Sequence, residues 1–156
     1  MLENRNINVC LVSDLFENYP LSENTIVVVV DLLRATTVIS TAFNFGVKEI
    51  IPVPSLEIAK TYIDRKDFIV AAERNAMPIK GFDYGNSPFQ YMNNDILDKT
   101  LVLTTTNGTK AINIASNYEV ITSCFINVDA VEEFLLNSNK DVLILCSGWK
   151  GVFNLE

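Results

Sequence analysis

Asp31 and Arg34 stand just past an abruptly ended apolar run, Ile26-Val27-Val28-Val29-Val30, and Thr36 and Thr37 follow them. An acid at the end of a buried strand can ligate a divalent cation or attack a phosphoryl group, and an arginine beside a helix start can hold a phosphate in bidentate fashion. The two threonines add hydroxyls and backbone amides where a helix dipole favours an anion. A solvent-exposed ion pair is the plain alternative. Ligands of parallel α/β sheets bind beyond the carboxyl ends of the strands, which favours a site.

Three further segments carry candidate chemistry. Thr105-Thr106-Asn107-Gly108-Thr109 is a polar turn between an apolar run and a helical pattern, suited either to an oxyanion nest or to an Asn-Gly turn with a threonine cap. It lacks the Gly-x-x-x-x-Gly-Lys spacing of a phosphate-binding P-loop. Glu73-Arg74 ends another apolar run, and Asp83 lies in the loop Lys80-Gly81-Phe82-Asp83-Tyr84-Gly85-Asn86-Ser87-Pro88. Carboxylates converging from two or three such places would suit an octahedral Mg²⁺ that retains waters. Cys146-Ser147-Gly148 is not a cysteine-phosphatase loop, because Val152 stands where the arginine should. Leu33 likewise breaks the Asp-x-Asp pattern of aspartate-nucleophile phosphatases.

Composition narrows the chemistry further. The chain has no histidine, which removes Ser-His-Asp and Cys-His catalysis and every histidine metal site. Acid–base work must then come from carboxylates, lysine, cysteine, tyrosine or a metal. A net charge of −7 without any Lys/Arg cluster argues against a nucleic-acid partner, but not against a small anionic ligand. Three widely spaced cysteines indicate neither a disulfide framework nor a zinc cluster. No secretory signal or membrane span is expected, so the cytoplasm is the expected compartment. With 156 residues and 49% apolar content, one domain with a sizeable core is expected. Homo-oligomerisation is compatible with this composition.

The elements that must position these residues alternate between strand and helix. Apolar runs predict strands over residues 7–12, 26–30, 48–53, 67–72, 100–104, 120–123 and 141–145. Helical spacing appears in Val38, Ile39, Ala42, Phe43 and Phe45 after a Thr36 or Thr37 cap, with Gly46 at C′. Further helices are expected from Ser55, over 110–116, and over 130–136 behind an Asp129/Glu132 capping box. Residues 13–25 read as a connection, and 75–94 as a functional loop rich in Gly, Pro and Asn. Continuous rather than alternating apolar runs indicate a parallel sheet covered on both faces.

Taken together, Asp31-Leu32-Leu33-Arg34-Ala35-Thr36-Thr37, Glu73-Arg74, Gly81 through Pro88, Thr105 through Thr109, and Cys146-Ser147-Gly148 through Gly151-x-Phe153-x-x-Glu156 closely resemble the 2-phosphosulfolactate phosphatases, the ComB family of coenzyme M biosynthesis. The resemblance implies a three-layer α/β/α fold with a mostly parallel central sheet. It also implies a single phosphatase domain over 1–156 that lacks the family's C-terminal third. The implied activity is Mg²⁺-dependent hydrolysis of 2-phosphosulfolactate, or a similar phosphorylated 2-hydroxy acid, to sulfolactate and phosphate. A non-catalytic phosphate- or anion-binding α/β domain is the competing reading. Asp31, Arg34 and Glu73 are the expected catalytic residues. Asp31, Glu73, Asp83 and Glu156 are the expected metal ligands. Arg34, Thr36, Thr37, Arg74, Asn107, Gly108 and Thr109 are expected around the phosphate and substrate, with Lys80 a further candidate for the substrate's second anion. The nucleophile is either water or Asp31. Ala72 stands where the family's glycine is expected before Glu-Arg.

Overall fold

The computed structural model describes residues 5–154. Among these residues eight strands form: β1 (Ile7–Cys10), β2 (Thr25–Val30), β3 (Glu49–Pro52), β4 (Phe68–Arg74), β5 (Met77–Pro78), β6 (Thr100–Thr104), β7 (Glu119–Ser123) and β8 (Asp141–Cys146). Four α-helices accompany them: α1 (Ala35–Asn44), α2 (Leu56–Lys60), α3 (Gly108–Ile114) and α4 (Val128–Leu136). The strands divide between two four-stranded sheets. One has the order β1-β8-β2-β7 and is parallel throughout; the other has the order β3-β6-β4-β5, with only the short β5 antiparallel.

Strand alternation decides what each face touches. Val27 and Val29 of β2, with Leu143 and Leu145 of β8, pack on Ala111 and Ala115 of α3 and its C-terminal turn. Ile69 and Ala71 of β4, with Leu101 and Leu103 of β6, pack on Val38, Ile39 and Ala42 of α1. Ile112 joins both clusters, so α1 and α3 form a layer between the sheets. The opposite faces are covered by Ala59 of α2 over Val70 and Val102, and by Val131 and Leu135 of α4 over Ile26, Val28 and Val142. The expected α/β/α layering is therefore present around each sheet, with the middle helices shared.

Most element boundaries follow the sequence pattern, and the departures have local causes. Gly46 has φ +90° just beyond α1, as a C′ glycine should. The connection after β1 contains a 3-10 segment, Ser13–Asn18. Helix α4 does not open on the Asp129/Glu132 capping box: Asn127 is its N-cap. The Asn127 side chain instead accepts from the Cys124 amide and donates to the Thr122 carbonyl, tying the helix start to the end of β7.

Candidate active site

Strand parity carries inward past the ends of both sheets. Asp31 continues the series Val27, Val29; Glu73 continues Ile69, Ala71; Thr105 continues Leu101, Leu103; Ser147 continues Leu143, Leu145. All four are buried, Asp31 and Glu73 each at 4% exposure. The two carboxylates thus come from different sheets and meet in one cleft of about 410 Å³, together with Arg34, Asn86, Asn107 and Trp149.

Each side chain is held by short-range chemistry. The loop after β2 is closed by Thr36, whose amide and Oγ1 both donate to the Asp31 carbonyl (3.0 and 2.9 Å). Thr37 Oγ1 donates to the Leu32 carbonyl at 2.8 Å. That turn leaves half-buried Arg34 as N-cap of α1, at the cleft wall. Glu73 accepts three hydrogen bonds, from the Ala76 amide (2.5 Å), the Thr106 hydroxyl (3.0 Å) and the Thr106 amide (3.2 Å). Asp31 presses on the first turn of α3: a Cβ at Gly108 would lie 2.4 Å from its Oδ2. Glycine is needed there for close approach, not for a positive φ.

Several expected residues have other duties. Thr36 and Thr37 spend their hydroxyls on loop carbonyls and do not present them to the cleft. Thr109 exchanges hydrogen bonds with Thr105 in both directions, closing the β6–α3 turn. The expected anion nest is thereby narrowed to Asn107 and Gly108, and Asn107 Oδ1 already accepts from the Lys150 amide. Arg74 is turned away from the cleft because it is one residue out of parity with Glu73. It donates to Thr104 Oγ1 (2.9 Å) and to the Glu73 carbonyl (2.6 Å). Burial pulls its pKa below the usual guanidinium value, while Glu73 and Glu57 oppose that shift.

Asp83 is also elsewhere. Its Oδ2 accepts from the Val70 amide at 2.9 Å, three residues back along β4 from Glu73, and it lines a separate hollow with Asp95 and Lys99. A carboxylate so placed cannot join the Asp31–Glu73 pair. Lys80 is exposed and outside the cleft lining. Glu156 lies outside the described residues. Among those residues, no group of three or more acids, cysteines or histidines is close enough to hold a metal.

Two cleft residues had no role in the sequence reading. Asn86 is 7% exposed, and its buried Oδ1 has no hydrogen-bond partner among the described residues. Leaving such a group unpaired costs about 1–3 kcal/mol, so its retention points to an absent partner. The backbone beside it is fixed: Tyr91 Oη donates to the Gly85 carbonyl (2.7 Å), and the Gly85 amide donates to Gln90 Oε1 (2.9 Å). Trp149 reaches the cleft from a tight turn in which Trp149 and Val152 exchange backbone hydrogen bonds. The only available sequence signal was a short polar residue between turn glycine and proline, and a lone tryptophan after a strand. Beyond Arg34 and Leu33 the cleft adjoins an open apolar hollow of about 660 Å³, walled by Phe89, Phe125, Ile126 and Phe153.

The fold and this cleft define a parallel α/β protein with an acidic, arginine-flanked site at the carboxyl ends of its strands. The chain matches the family model described as 2-phosphosulpholactate phosphatase over residues 10–156, and it belongs to that family. It is 47% identical over 135 residues to a protein of Caldanaerobacter subterraneus subsp. tengcongensis, covering 83% of this chain and 56% of that one. A Clostridium novyi protein is 44% identical over 137 residues, covering 86% and 58% respectively. A Clostridium tetani protein is 40% identical over 154 residues, covering 97% and 66%. All three carry the name "Probable 2-phosphosulfolactate phosphatase". The chain thus spans 56–66% of the length of these relatives.

Proposed function

We propose that the protein hydrolyses a phosphate monoester of a short anionic 2-hydroxy acid, 2-phosphosulfolactate, to sulfolactate and phosphate. The observation that carries this reading is the meeting of buried Asp31 and Glu73 with Arg34 in one cleft. The relatives' name supplies the substrate. Because two carboxylates and one guanidinium are the only charged groups among the described residues lining the cleft, a polyanionic substrate would meet net repulsion there without a cation.

The donor set fits a hard divalent ion: two carboxylates and the unpaired amide oxygen of Asn86. Asp31 and Glu73 would hold Mg²⁺, which supplies charge neutralisation at the phosphoryl oxygens when bound. Arg34 binds those oxygens through its paired N–H groups and stabilises the charge that grows on them. We assign the attack to water and not to Asp31, whose carboxylate the metal would occupy. As the water oxygen bonds to phosphorus and the ester P–O bond breaks, a carboxylate oxygen of the pair takes the proton that the water gives up and passes it to the departing 2-hydroxyl oxygen. No helix among the described residues is long and apolar enough to cross a membrane. The cytoplasm is the compartment we propose for the reaction.

Phosphate release from phosphosulfolactate and from phospholactate, with Mg²⁺ and then with chelator, tests this function in the full chain. Turnover that vanishes with chelator, and in Asp31→Ala, is expected. Phosphate binding without metal and without release would support a non-catalytic anion-binding domain instead.

A further inference from the structure

We propose that Asn86 is the neutral third oxygen ligand of a divalent-cation site formed with Asp31 and Glu73. This rests on the cation-assisted reading of the cleft and names a residue that the acidic pair alone does not supply. The three residues line the same cleft, and Asn86 is 7% exposed with an unpaired Oδ1. An amide oxygen is an acceptor only. The anionic groups of a phosphate ester are acceptors as well, so they cannot satisfy it; a hard cation can. The terminal amide torsion is soft, so Oδ1 can turn toward such an ion without moving the backbone. The residue before Asn86 is anchored: Gly85 accepts from Tyr91 Oη through its carbonyl and donates its amide to Gln90 Oε1.

Neutrality is the reason for an amide at this position. Two carboxylates balance a divalent ion, leaving the Arg34 charge to attract the phosphoryl group. A third carboxylate would hold the ion more tightly and repel the substrate. Two substitutions therefore act in opposite directions. Asn86→Leu keeps the size and removes the oxygen; Asn86→Asp keeps the oxygen and adds charge.

The test is Mn²⁺ binding to the full chain, read from the electron paramagnetic resonance of free Mn²⁺. Inorganic phosphate binding with Mn²⁺ present is then followed by fluorescence of Trp149, the only tryptophan in the chain. Asn86→Leu should weaken Mn²⁺ about tenfold or more. Asn86→Asp should bind Mn²⁺ more tightly than wild type and phosphate more weakly. Thermal unfolding confirms that both variants are folded. Wild-type binding that Asn86→Leu leaves unchanged overturns the Asn86 assignment while leaving the cation reading intact. Weakened phosphate with unchanged Mn²⁺ in both variants also overturns it, making Asn86 a phosphate donor. A wild-type chain that binds no Mn²⁺ overturns the cation reading itself.

Discussion

Replacing Glu73 with glutamine tests whether the carboxylate is structural as well as chemical. Its oxygens receive the Ala76 amide, the Thr106 amide and the Thr106 hydroxyl. The hydroxyl can rotate to accept, but the two amides cannot. In either orientation of the glutamine amide, one N–H of the new side chain therefore faces a backbone N–H. One charge-assisted hydrogen bond is lost and one buried donor is left unpaired, for a loss of about 1.5–3 kcal/mol. Urea denaturation should show this as a lower midpoint with an unchanged slope. Amide exchange at Ala76 or Thr106 should quicken locally as well. A change below about 0.5 kcal/mol, the range of ordinary surface substitutions, would refute the reasoning. It would mean that Glu73 does not hold the β6–α3 loop.

The two arginines should separate cleanly. Arg34→Ala should weaken inorganic phosphate binding about tenfold by calorimetry, as loss of a charge-assisted pair implies, whereas Arg74→Ala should leave it within about twofold and lower stability by about 1–3 kcal/mol through its lost bonds to Thr104 and Glu73. Gly108→Ala puts a Cβ 2.4 Å from both Asp31 Oδ2 and Ala35 Cβ. Overpacking of that kind costs about 1–3 kcal/mol, and unchanged denaturation would show that Asp31 does not press on α3. Burial, with a smaller contribution from Tyr84, raises the Tyr91 phenol above its ordinary value of 10.0. Below that pH the protonated phenol contributes its full stability. Above it the unfolded chain loses the proton first, and stability falls by up to about 1.4 kcal/mol per pH unit. Tyr91→Phe should remove that alkaline slope in pH-dependent denaturation.

The strand ends were legible in sequence, and the direction of their side chains was not. Residues 26–30 are apolar at every position because β2 is covered on both faces, so no alternation shows which face Asp31 takes. The same holds for β4, where adjacent Glu73 and Arg74 must point opposite ways and the run before them favours neither. Hence the sequence could bring Glu73 and Arg74 to the strand end together but could not tell that Glu73 lines the cleft and Arg74 bonds Thr104 instead. Thr36, Thr37 and Thr109 have the right chemistry for an anion, but short hydroxyl side chains in turns also satisfy nearby carbonyls and amides, and here they do. Asp83 and Asn86 share one loop without periodicity. Nothing in its spacing shows that Asp83 folds back on the Val70 amide while Asn86 lines the cleft with the two acids. The split into two sheets was equally hidden, since pairing partners leave no trace in runs that look alike.

Against that background the β6–α3 loop takes a different role from the anion nest its composition promised. Thr106 holds Glu73, Gly108 admits Asp31, and Asn107 accepts from Lys150 in the turn that carries Trp149. Residues 105–109 therefore touch both sheets and the Trp149 turn, and each contact is of a different kind. A carboxylate pair drawn from two sheets needs its spacing fixed by something attached to both. Two strands of one sheet would have their spacing set by the ladder; Asp31 and Glu73 have no ladder between them. The loop supplies that link, with α3 packed behind it on β2. Its polar residues are there to set the distance between two carboxylates, and Arg34 is left as the one cationic side chain lining the cleft among the described residues.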